Sequence, residues 1–271
     1  AHLSTFQRVQ TFKALLGLSL RPEQKRLILA GLGEIPDDEA LKLAESLLEE
    51  AEVQTEAAQA MIKIAAALPP EQSELAAASM QKVLGATNHE QTRQTAETTL
   101  KQIEANADFI TVWQVAGPYR QANKDYAALF EIPFAPELPD SQGVKWQILP
   151  GGSDPKRPWL MDFFKAFGGQ QCVAYARTWV RCDQPQPGLL EIGSDDGVKV
   201  WLNDKQVHAN NAARALQPGS DKINVQLNKG WNVLVLKVTQ NNQGWEFCAR
   251  LRKPDGTHMA GLQFDTSNNS R

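Results

Sequence analysis

Apolar side chains recur every three or four positions through residues 1–107, and this spacing predicts amphipathic helices. Pro36-Asp37 and Pro69-Pro70 separate neighbouring helices, because proline interrupts a helix but fits the start of one. The apolar positions of the six stripes are Phe6, Val9, Phe12 and Leu16; Leu27, Ile28, Gly31, Leu32 and Ile35; Ala40, Leu41, Ala44, Leu47 and Leu48; Val53, Ala57, Met61, Ile64 and Leu68; Ala76, Ser79, Val83 and Leu84; and Thr92, Ala96, Thr99, Leu100 and Ile103. Helices joined by such short turns are expected to form repeating antiparallel pairs, as in an α-solenoid.

After residue 107 the period changes to two, because apolar and polar positions alternate in short runs. Amino-acid usage changes at the same point, since all seven tryptophans lie beyond it. The runs that predict strands are 109–115, 144–149, 159–164, 171–181, 222–227, 231–239 and 245–252. Strands in this number, without helices between them, predict an antiparallel β-sandwich. We therefore expect two domains, a helical one over residues 1–107 and a β-sandwich over residues 108–271.

The stretch 189–203, LLEIGSDDGVKVWLN, predicts a β-hairpin. The runs LLEI and VKVWL alternate on either side of Asp195-Asp196-Gly197, which has the composition of a tight turn. A second turn signal, Asn203-Asp204, follows at once.

The composition of the chain argues against some classes of function. A formal net charge of −3 argues against a nucleic-acid partner, because such proteins usually carry a basic patch. No apolar run reaches the roughly 20 residues that a membrane-spanning helix needs. The first residues, AHLSTFQRVQ, contain neither an initiator methionine nor a signal-peptide pattern, so we expect an excised piece or a processed chain of a longer protein.

Three cysteines, Cys172, Cys182 and Cys248, are too few for a disulfide framework. Cys172 and Cys182 lie at opposite ends of one predicted strand, about 33 Å apart at about 3.3 Å per residue, which is too far for a bridge. Either one can still pair with Cys248, and otherwise all three are buried thiols.

The helical region resembles HEAT-like repeats, in the segments EQKRLILAGLGEIPDDEALKLAESLLEE and VQTEAAQAMIKIAAAL. The β region resembles the galactose-binding-like jelly-roll modules of secreted bacterial proteins, close in style to non-catalytic carbohydrate-binding modules. The segments that carry this resemblance are GPY with FAPE, VKWQ, YARTWV, GSDDGVKVWLN, LNKGWNVLVLKV and WEFCARL. One departure is Asp204, where the family usually has glycine after WLN, and aspartate adopts a left-handed turn less readily.

These resemblances imply a carbohydrate-binding-like module with a helical repeat scaffold. They also imply a larger secreted bacterial protein that acts on polysaccharides, and hence a secreted or periplasmic location. The helical repeats then provide either a surface for a protein partner or a packing spacer. Two alternatives stay open, a structural or docking module without a glycan ligand and a fragment of a glycoside hydrolase.

Catalytic motifs are missing from the sequence. The four histidines are scattered without metal-ligand spacing, and no GxSxG elbow, GxGxxG loop or Walker loop occurs. Carboxylates that could form a glycosidase pair exist, among them Asp195 and Asp196, but the sequence does not give their separation. We therefore expect no catalytic residue in this chain, whereas the activity of a longer parent protein stays open.

Candidate binding residues lie on the predicted strand after the turn. Alternation places Trp201 on one face with Lys199 and Asn203. A tryptophan beside amide and ammonium groups suits a sugar, which offers both C–H bonds and hydroxyls. The alternative is that Trp201 packs under a loop.

The polar loop of residues 208–221 supplies further candidates, Asn210, Asn211 and Arg214, since long loops at the ends of sandwiches often bind ligands. Arg214 can fork onto a carboxylate or sulfate of an acidic sugar, or it can pair with Asp195 or Asp196 and pin the loop. Asp195 and Asp196 are candidate ligands of a structural Ca²⁺, or alternatively caps of a tight turn. No other cofactor is expected.

Overall fold

Among the described residues, the two largest hydrophobic cores lie one among helices and one between β-sheets. The computed structural model describes residues 3–18, 20–69, 72–138, 143–151, 154 and 157–267. The chain divides into two units, Ala1–Ala107 and Asp108–Arg271. Within the described ranges, no helix is both long enough and apolar enough to span a bilayer.

The first unit is an array of helices. Its described part contains α1 (Thr5–Leu16), α2 (Pro22–Leu32), α3 (Asp38–Glu45), α4 (Gln54–Ala67), α5 (Ser73–Ala86) and α6 (Glu90–Asn106). Each helix packs against the next, and α4 also packs against α2 and α6. Helix α4 can occupy this central position because alanines such as Ala57 and Ala65 let neighbouring backbones approach closely. Helices are found where the hydrophobic pattern predicts them, and their assignment to HEAT-like repeats stays a prediction.

The described strands of the second unit form two antiparallel sheets. They are β1 (Val112–Tyr119), β2 (Gln147–Pro150), β3 (Met161–Asp162), β4 (Cys172–Cys182), β5 (Gln186–Ser194), β6 (Val198–Leu202), β7 (Lys205–Asn210), β8 (Asp221–Leu227), β9 (Gly230–Gln240), β10 (Glu246–Arg252) and β11 (Gln263–Asp265). The larger sheet has the order β2-β1-β4-β9-β6-β7, with β11 paired to β4, and the smaller has the order β3-β10-β5-β8. Two short helices, α7 (Tyr126–Glu131) and α8 (Phe163–Phe167), belong to the same unit.

The inner faces of both sheets share one core. Trp113 of the larger sheet meets Phe247 of the smaller edge to face, with ring centroids 5.2 Å apart. Alternate positions along the strands feed this core, as the period of two requires. Examples are Ala174, Val200 and Leu236 from the larger sheet, and Ile192 and Val225 from the smaller. The prediction of an antiparallel β fold is therefore confirmed as two sheets that face each other.

The predicted hairpin in 189–203 is wrong. Strand β5 pairs with β8 and β10 in the smaller sheet, whereas β6 pairs with β7 and β9 in the larger. Residues Asp195-Asp196-Gly197 therefore carry the chain from one layer to the other. The actual hairpin is β6–β7, whose turn is Asn203-Asp204 with φ values of 50° and 64°. The left-handed turn thus forms with aspartate and without glycine at position 204.

The predicted strand 159–164 is also shorter than expected. Only Met161–Asp162 is a strand, and α8 begins at Phe163. The Asp162 carboxylate accepts a hydrogen bond from the backbone N–H of Lys165 at 2.8 Å, and this N-terminal cap favours helix over strand.

The crossing between the sheets is held by Asp196. Its carboxylate is buried and accepts backbone N–H bonds from Arg214 (3.3 Å) and Asn241 (2.6 Å). Two different segments are thereby tied to the crossing. Gly197 N–H donates to Thr239 Oγ1 at 2.9 Å and fixes the start of β6.

We expect Asp196→Ala to lower the free energy of unfolding of the second unit by about 2–4 kcal/mol, because two buried N–H groups lose their acceptor. Urea unfolding followed by tryptophan fluorescence measures this, since all seven tryptophans lie in that unit. The control is Asp183→Ala, whose side chain is 81% exposed. Equal stability of the two variants would contradict the role assigned to Asp196.

Candidate functional site

The outer face of the larger sheet carries a row of side chains across five strands. Alternation turns Gln114, Arg177, Val235, Trp201 and Gln206 away from the core. The strand register then places Gln114 opposite Arg177, Arg177 opposite Val235, Val235 opposite Trp201, and Trp201 opposite Gln206. Residues from five strands, separated by up to 92 positions along the chain, therefore form one line.

One half of this outer face is covered by α7 and the turn Ala135–Glu137. Lys237 has no exposed side-chain surface, and its Nζ donates to Ile132 O at 2.7 Å and to Glu137 Oε1 at 2.8 Å. The Tyr175 hydroxyl also donates to Glu137. Burial lowers the pKa of Lys237, although the Glu137 carboxylate opposes that shift. In this half of the outer face, the bonds of Lys237 and Tyr175 to Glu137 and Ile132 hold the covering segment against the sheet.

Lys199 belongs to the covered half. Its Nζ donates to Glu131 at 2.6 Å and lies 4.5 Å from the centre of the Phe130 ring. Lys199 therefore helps to hold α7 on the sheet. Its predicted contact with a ligand stays a prediction.

The other half of the outer face stays partly open to solvent. We call it the tryptophan face, and its members are Trp146, Arg177, Trp179, Trp201, Trp231, Val233 and Val235, all partly exposed. Trp179 lies opposite Val233 on β9, and Trp201 lies opposite Val235. Trp146 precedes β2 and lies above Arg177. Several indole rings thus border one apolar strip of sheet surface.

Arg177 lies at the centre of the tryptophan face. Its guanidinium carbon is 4.0 Å from the centre of the Trp146 ring and 4.9 Å from that of Trp179. The Nε atom donates to Gln114 Oε1 at 2.8 Å. Burial lowers the pKa of Arg177 to about 10, and the group therefore stays protonated at neutral pH.

Of the residues predicted on this strand, Trp201 joins the tryptophan face. Asn203 follows β6 in the turn and is used within the fold, since its Nδ2 donates to Asn232 Oδ1 at 2.8 Å and its Oδ1 accepts from Val233 N–H at 3.0 Å. Lys199 and Trp201 share one side of β6 as alternation predicts, and of these two Trp201 lies among the other tryptophans.

Trp146, Arg177, Trp179 and Trp231 were not among the predicted ligand-binding residues. Alternation in residues 171–181 signals that Arg177 and Trp179 share one face. The missing information is the strand register, because only the placement of β9 between β4 and β6 brings Trp179 near Trp201.

The loop predicted over 208–221 is shorter in the structure, because β7 reaches Asn210 and β8 begins at Asp221, and side chains at both ends hold it down. The Arg214 guanidinium donates to Ser194 Oγ at 2.7 Å and also pairs with Asp221. Asn210 Nδ2 donates to Asp221 Oδ1 at 2.8 Å, and Asn211 Nδ2 donates to Ala127 O at 3.1 Å. The ligand-binding roles of Asn210, Asn211 and Arg214 stay predictions, and these contacts give the three residues a function in holding the loop.

Electrostatics at Asp221 support this assignment. Burial acts to raise the pKa of Asp221, but the hydrogen bonds from Arg214 and Asn210 outweigh it and leave the pKa below its ordinary value. The Arg214 guanidinium therefore pairs with Asp221 and not with the carboxylates of Asp195 or Asp196. Arg214 bonds Asp196 through its backbone, since its N–H donates to the Asp196 carboxylate and its carbonyl accepts from the Asp196 N–H at 2.8 Å.

Asp195 lies in an acidic row on the outer face of the smaller sheet. Its backbone N–H donates to Glu246 O at 2.8 Å, and Glu246 lies opposite Asp162. Burial raises the pKa of Asp195 to about 7, and the nearby carboxylates of Asp196 and Glu246 act in the same direction. Burial also raises the pKa of Glu246, despite the opposing charge of Arg157.

Asp195 and Asp196, the predicted Ca²⁺ ligands, do not form a coordination shell with other described side chains. Both oxygens of Asp196 already accept backbone N–H bonds. Over the part of the chain that the structure describes, no group of three or more His, Cys, Asp or Glu side chains could hold a metal ion. The contacts of Asp196 join two segments that are distant along the chain, so its carboxylate does not cap its own turn.

The raised pKa of Asp195 predicts a pH-dependent stability. Because the pKa is higher in the folded than in the unfolded chain, this carboxyl stabilises the fold below about pH 4, and the contribution is lost as the pH rises through about 7. Asp195→Asn should therefore gain stability relative to the unmodified chain between pH 4 and pH 8. Solvent screening at this partly exposed site limits the gain to about 1 kcal/mol.

Urea unfolding at pH 4, 6 and 8 measures this difference, with the exposed Asp183→Asn as the matched control. A stability difference that stays constant across the three pH values would contradict the prediction.

Comparison with known proteins assigns the chain to no family. No protein-family model matches the chain, and no curated protein matches it. Among solved structures, the PA14 domain of the MpAFP antifreeze protein aligns with a TM-score of 0.31 and 11% identity, over 59% of this chain and 76% of that one. The A domain of epithelial adhesin 9 from Candida glabrata, in complex with Galβ1-3GlcNAc, aligns with a TM-score of 0.37 and 10% identity, over 60% and 93%. A glycosyl hydrolase family 2 member from Bacteroides cellulosilyticus aligns with a TM-score of 0.31 and 14% identity, over 53% and 20%.

Proposed function

We propose that the second unit is a non-catalytic glycan-binding module and that its ligand lies on the tryptophan face. The observation that carries this proposal is the position of Trp179 and Trp201 on either side of one partly exposed apolar strip. Indole rings match the C–H faces of sugar rings, since both are flat and weakly polar.

Polar groups at the border of the strip suit sugar hydroxyls. Gln114 and Gln206 end the row across the sheet, and the Arg177 guanidinium lies inside it. Amides both donate and accept hydrogen bonds, as a hydroxyl requires. Aromatic surface with a few orienting polar groups is the usual composition of a ligand site.

The spacing of the two rings supports an oligosaccharide ligand. Trp179 and Trp201 belong to strands on either side of β9, so their backbones are about 10 Å apart across the sheet at about 4.8 Å per strand. A single sugar ring does not span that distance, whereas a chain of several rings does. We infer that the ligand is an internal stretch of a polysaccharide.

In this proposal the second unit is a jelly-roll-like sandwich of the galactose-binding-like kind, and the helical unit is a HEAT-like scaffold or a surface for a protein partner. The parent is a larger secreted or periplasmic bacterial protein that acts on polysaccharides. The alternative is a structural or docking module without a glycan ligand. It differs in one measurable respect, because it predicts no binding to any glycan.

Glycan arrays and affinity electrophoresis in polysaccharide gels test the proposal. We expect Trp179→Ala and Trp201→Ala each to weaken binding about 5- to 30-fold, which corresponds to about 1–2 kcal/mol of lost ring contact. Phe164→Ala is the matched control, since it removes an aromatic ring that is 49% exposed on α8.

Binding that survives both tryptophan substitutions would move the ligand away from this face. An absence of binding to every plant, algal and host glycan would favour the structural alternative.

A second candidate function is glycoside hydrolysis at Asp195 and Glu246. Its support is a carboxyl with a pKa of about 7 next to a second carboxyl with a raised pKa, which suits a general acid and its partner. Incubation with aryl glycosides and polysaccharides tests it. Turnover that Asp195→Asn reduces by about 100-fold or more would support this function, and no turnover by the unmodified chain would eliminate it.

A further inference from the structure

The most unusual charged group of the second unit is Arg177, and it points to the chemistry of the ligand. We propose that the tryptophan face recognises an acidic polysaccharide, in which a carboxylate or a sulfate ester pairs with the Arg177 guanidinium. This inference rests on the proposed glycan-binding function and names the class of glycan.

Two indole rings lie close to the Arg177 guanidinium. Trp146 and Trp179 both lie within 5 Å of its central carbon, measured to their ring centres at 4.0 and 4.9 Å. The Nε–H is used by Gln114. Among the described residues, the Nη atoms have no hydrogen-bonded acceptor, and they are absent from the buried polar atoms that lack a partner, so solvent reaches them. A ligand can therefore approach along the edge that carries them.

Other arginines of this unit differ from Arg177. Five of them have a carboxylate partner, namely Arg157, Arg181, Arg214, Arg250 and Arg252. Arg120 has none of these ion pairs but is exposed to water. Arg177 combines partial burial with the lack of an anionic partner in the described part of the chain.

That combination is unfavourable for an isolated protein, because a charge that is partly removed from water needs compensation. An anion on a bound sugar supplies the compensation. The guanidinium edge presents N–H groups in a planar fork that matches the two oxygens of a carboxylate or of a sulfate. The two nearby indole rings and the hydrogen bond to Gln114 restrict the guanidinium, so little conformational freedom is lost on binding.

The surrounding surface favours the same ligand. The row through Arg177 contains the neutral residues Gln114, Val235, Trp201 and Gln206 and no carboxylate. An anionic sugar placed on this row meets the Arg177 cation, and the carboxylate of Asp265, which lies beside the row opposite Trp179, already accepts hydrogen bonds from Ser267. Neighbouring rings of the polysaccharide can stack on Trp201 while the acidic ring pairs with Arg177.

The test compares polysaccharides that differ only in charge. Polygalacturonate and its fully methyl-esterified form make one pair, and a sulfated galactan and its desulfated form make the second. We expect the full chain to bind the charged member of at least one pair about tenfold or more tightly, as a charge-assisted pair predicts. The first pair identifies a carboxylate and the second identifies a sulfate.

Substitutions then assign the preference to Arg177. We expect Arg177→Gln to abolish the preference for the charged polysaccharide while weak binding to the neutral form persists. Arg177→Lys should restore part of it, because the charge returns without the fork. Circular dichroism and thermal unfolding of both variants check the fold, and the comparison of charged with neutral ligands on the unmodified chain does not depend on them.

Equal binding of charged and neutral forms would overturn the acidic-ligand inference and leave glycan binding by the tryptophan face standing. A charge preference that Arg177→Gln leaves intact in a folded variant would also overturn it. Failure to bind any of the four polysaccharides, combined with failure to bind any glycan on the array, would overturn both proposals.

Discussion

The second unit depends on the antiparallel pairing of β4 with β9, which runs over eleven positions from Cys172 opposite Gln240 to Cys182 opposite Gly230. Both strands lie in the interior of the larger sheet, so each has two covered edges. Their inner side chains fill the core between the sheets, and their outer side chains form the candidate site. A shift of register by one residue would exchange the two sets. Core packing therefore also determines which side chains reach the ligand surface.

The outer face of this sheet is divided between two uses. At one end, α7 and the turn Ala135–Glu137 close over Lys237, whose charge is satisfied by Glu137. Removing one partner of such a buried pair costs far more than the pair contributes, which makes the cover a fixed part of the fold. At the other end, the indole rings of Trp179 and Trp201 have no comparable cover and remain partly exposed. The division leaves an apolar strip with defined borders.

Charged and amide side chains near the sheet differ in the same way, because some are used within the fold and others are left for a ligand. Arg214 and Asn210 have the groups that a sugar needs, but both are hydrogen-bonded to Asp221 and hold the loop of residues 208–221. Arg177 has the same chemical group as Arg214 and lacks such a partner within the described residues. The availability of a guanidinium for a ligand is thus decided by its neighbours in space. The mere presence of arginine or asparagine in the sequence does not decide whether its side chain can bind a ligand.

The hydrophobic pattern alone was sufficient for several features. It predicted helices before residue 107 and strands after it, and it placed Lys199 and Trp201 on one side of their strand. These features follow from periods of 3.6 and 2, which depend only on neighbouring residues. For the same reason the turn at Asn203-Asp204 could be predicted from its composition.

Strand partners could not be predicted in this way. Leu190 and Val200 both point into one core, but they reach it from opposite sheets, and a pattern of alternation is the same in either case. In the structure, the segment 189–203 therefore crosses from the smaller sheet to the larger instead of forming the predicted hairpin. The approach of Trp179 to Trp201 likewise depends on β9 lying between their strands. The sequence by itself determined which side of each strand is apolar. Only the tertiary structure decided which strands are neighbours, because pairing is selected by the packing of residues that lie far apart along the chain.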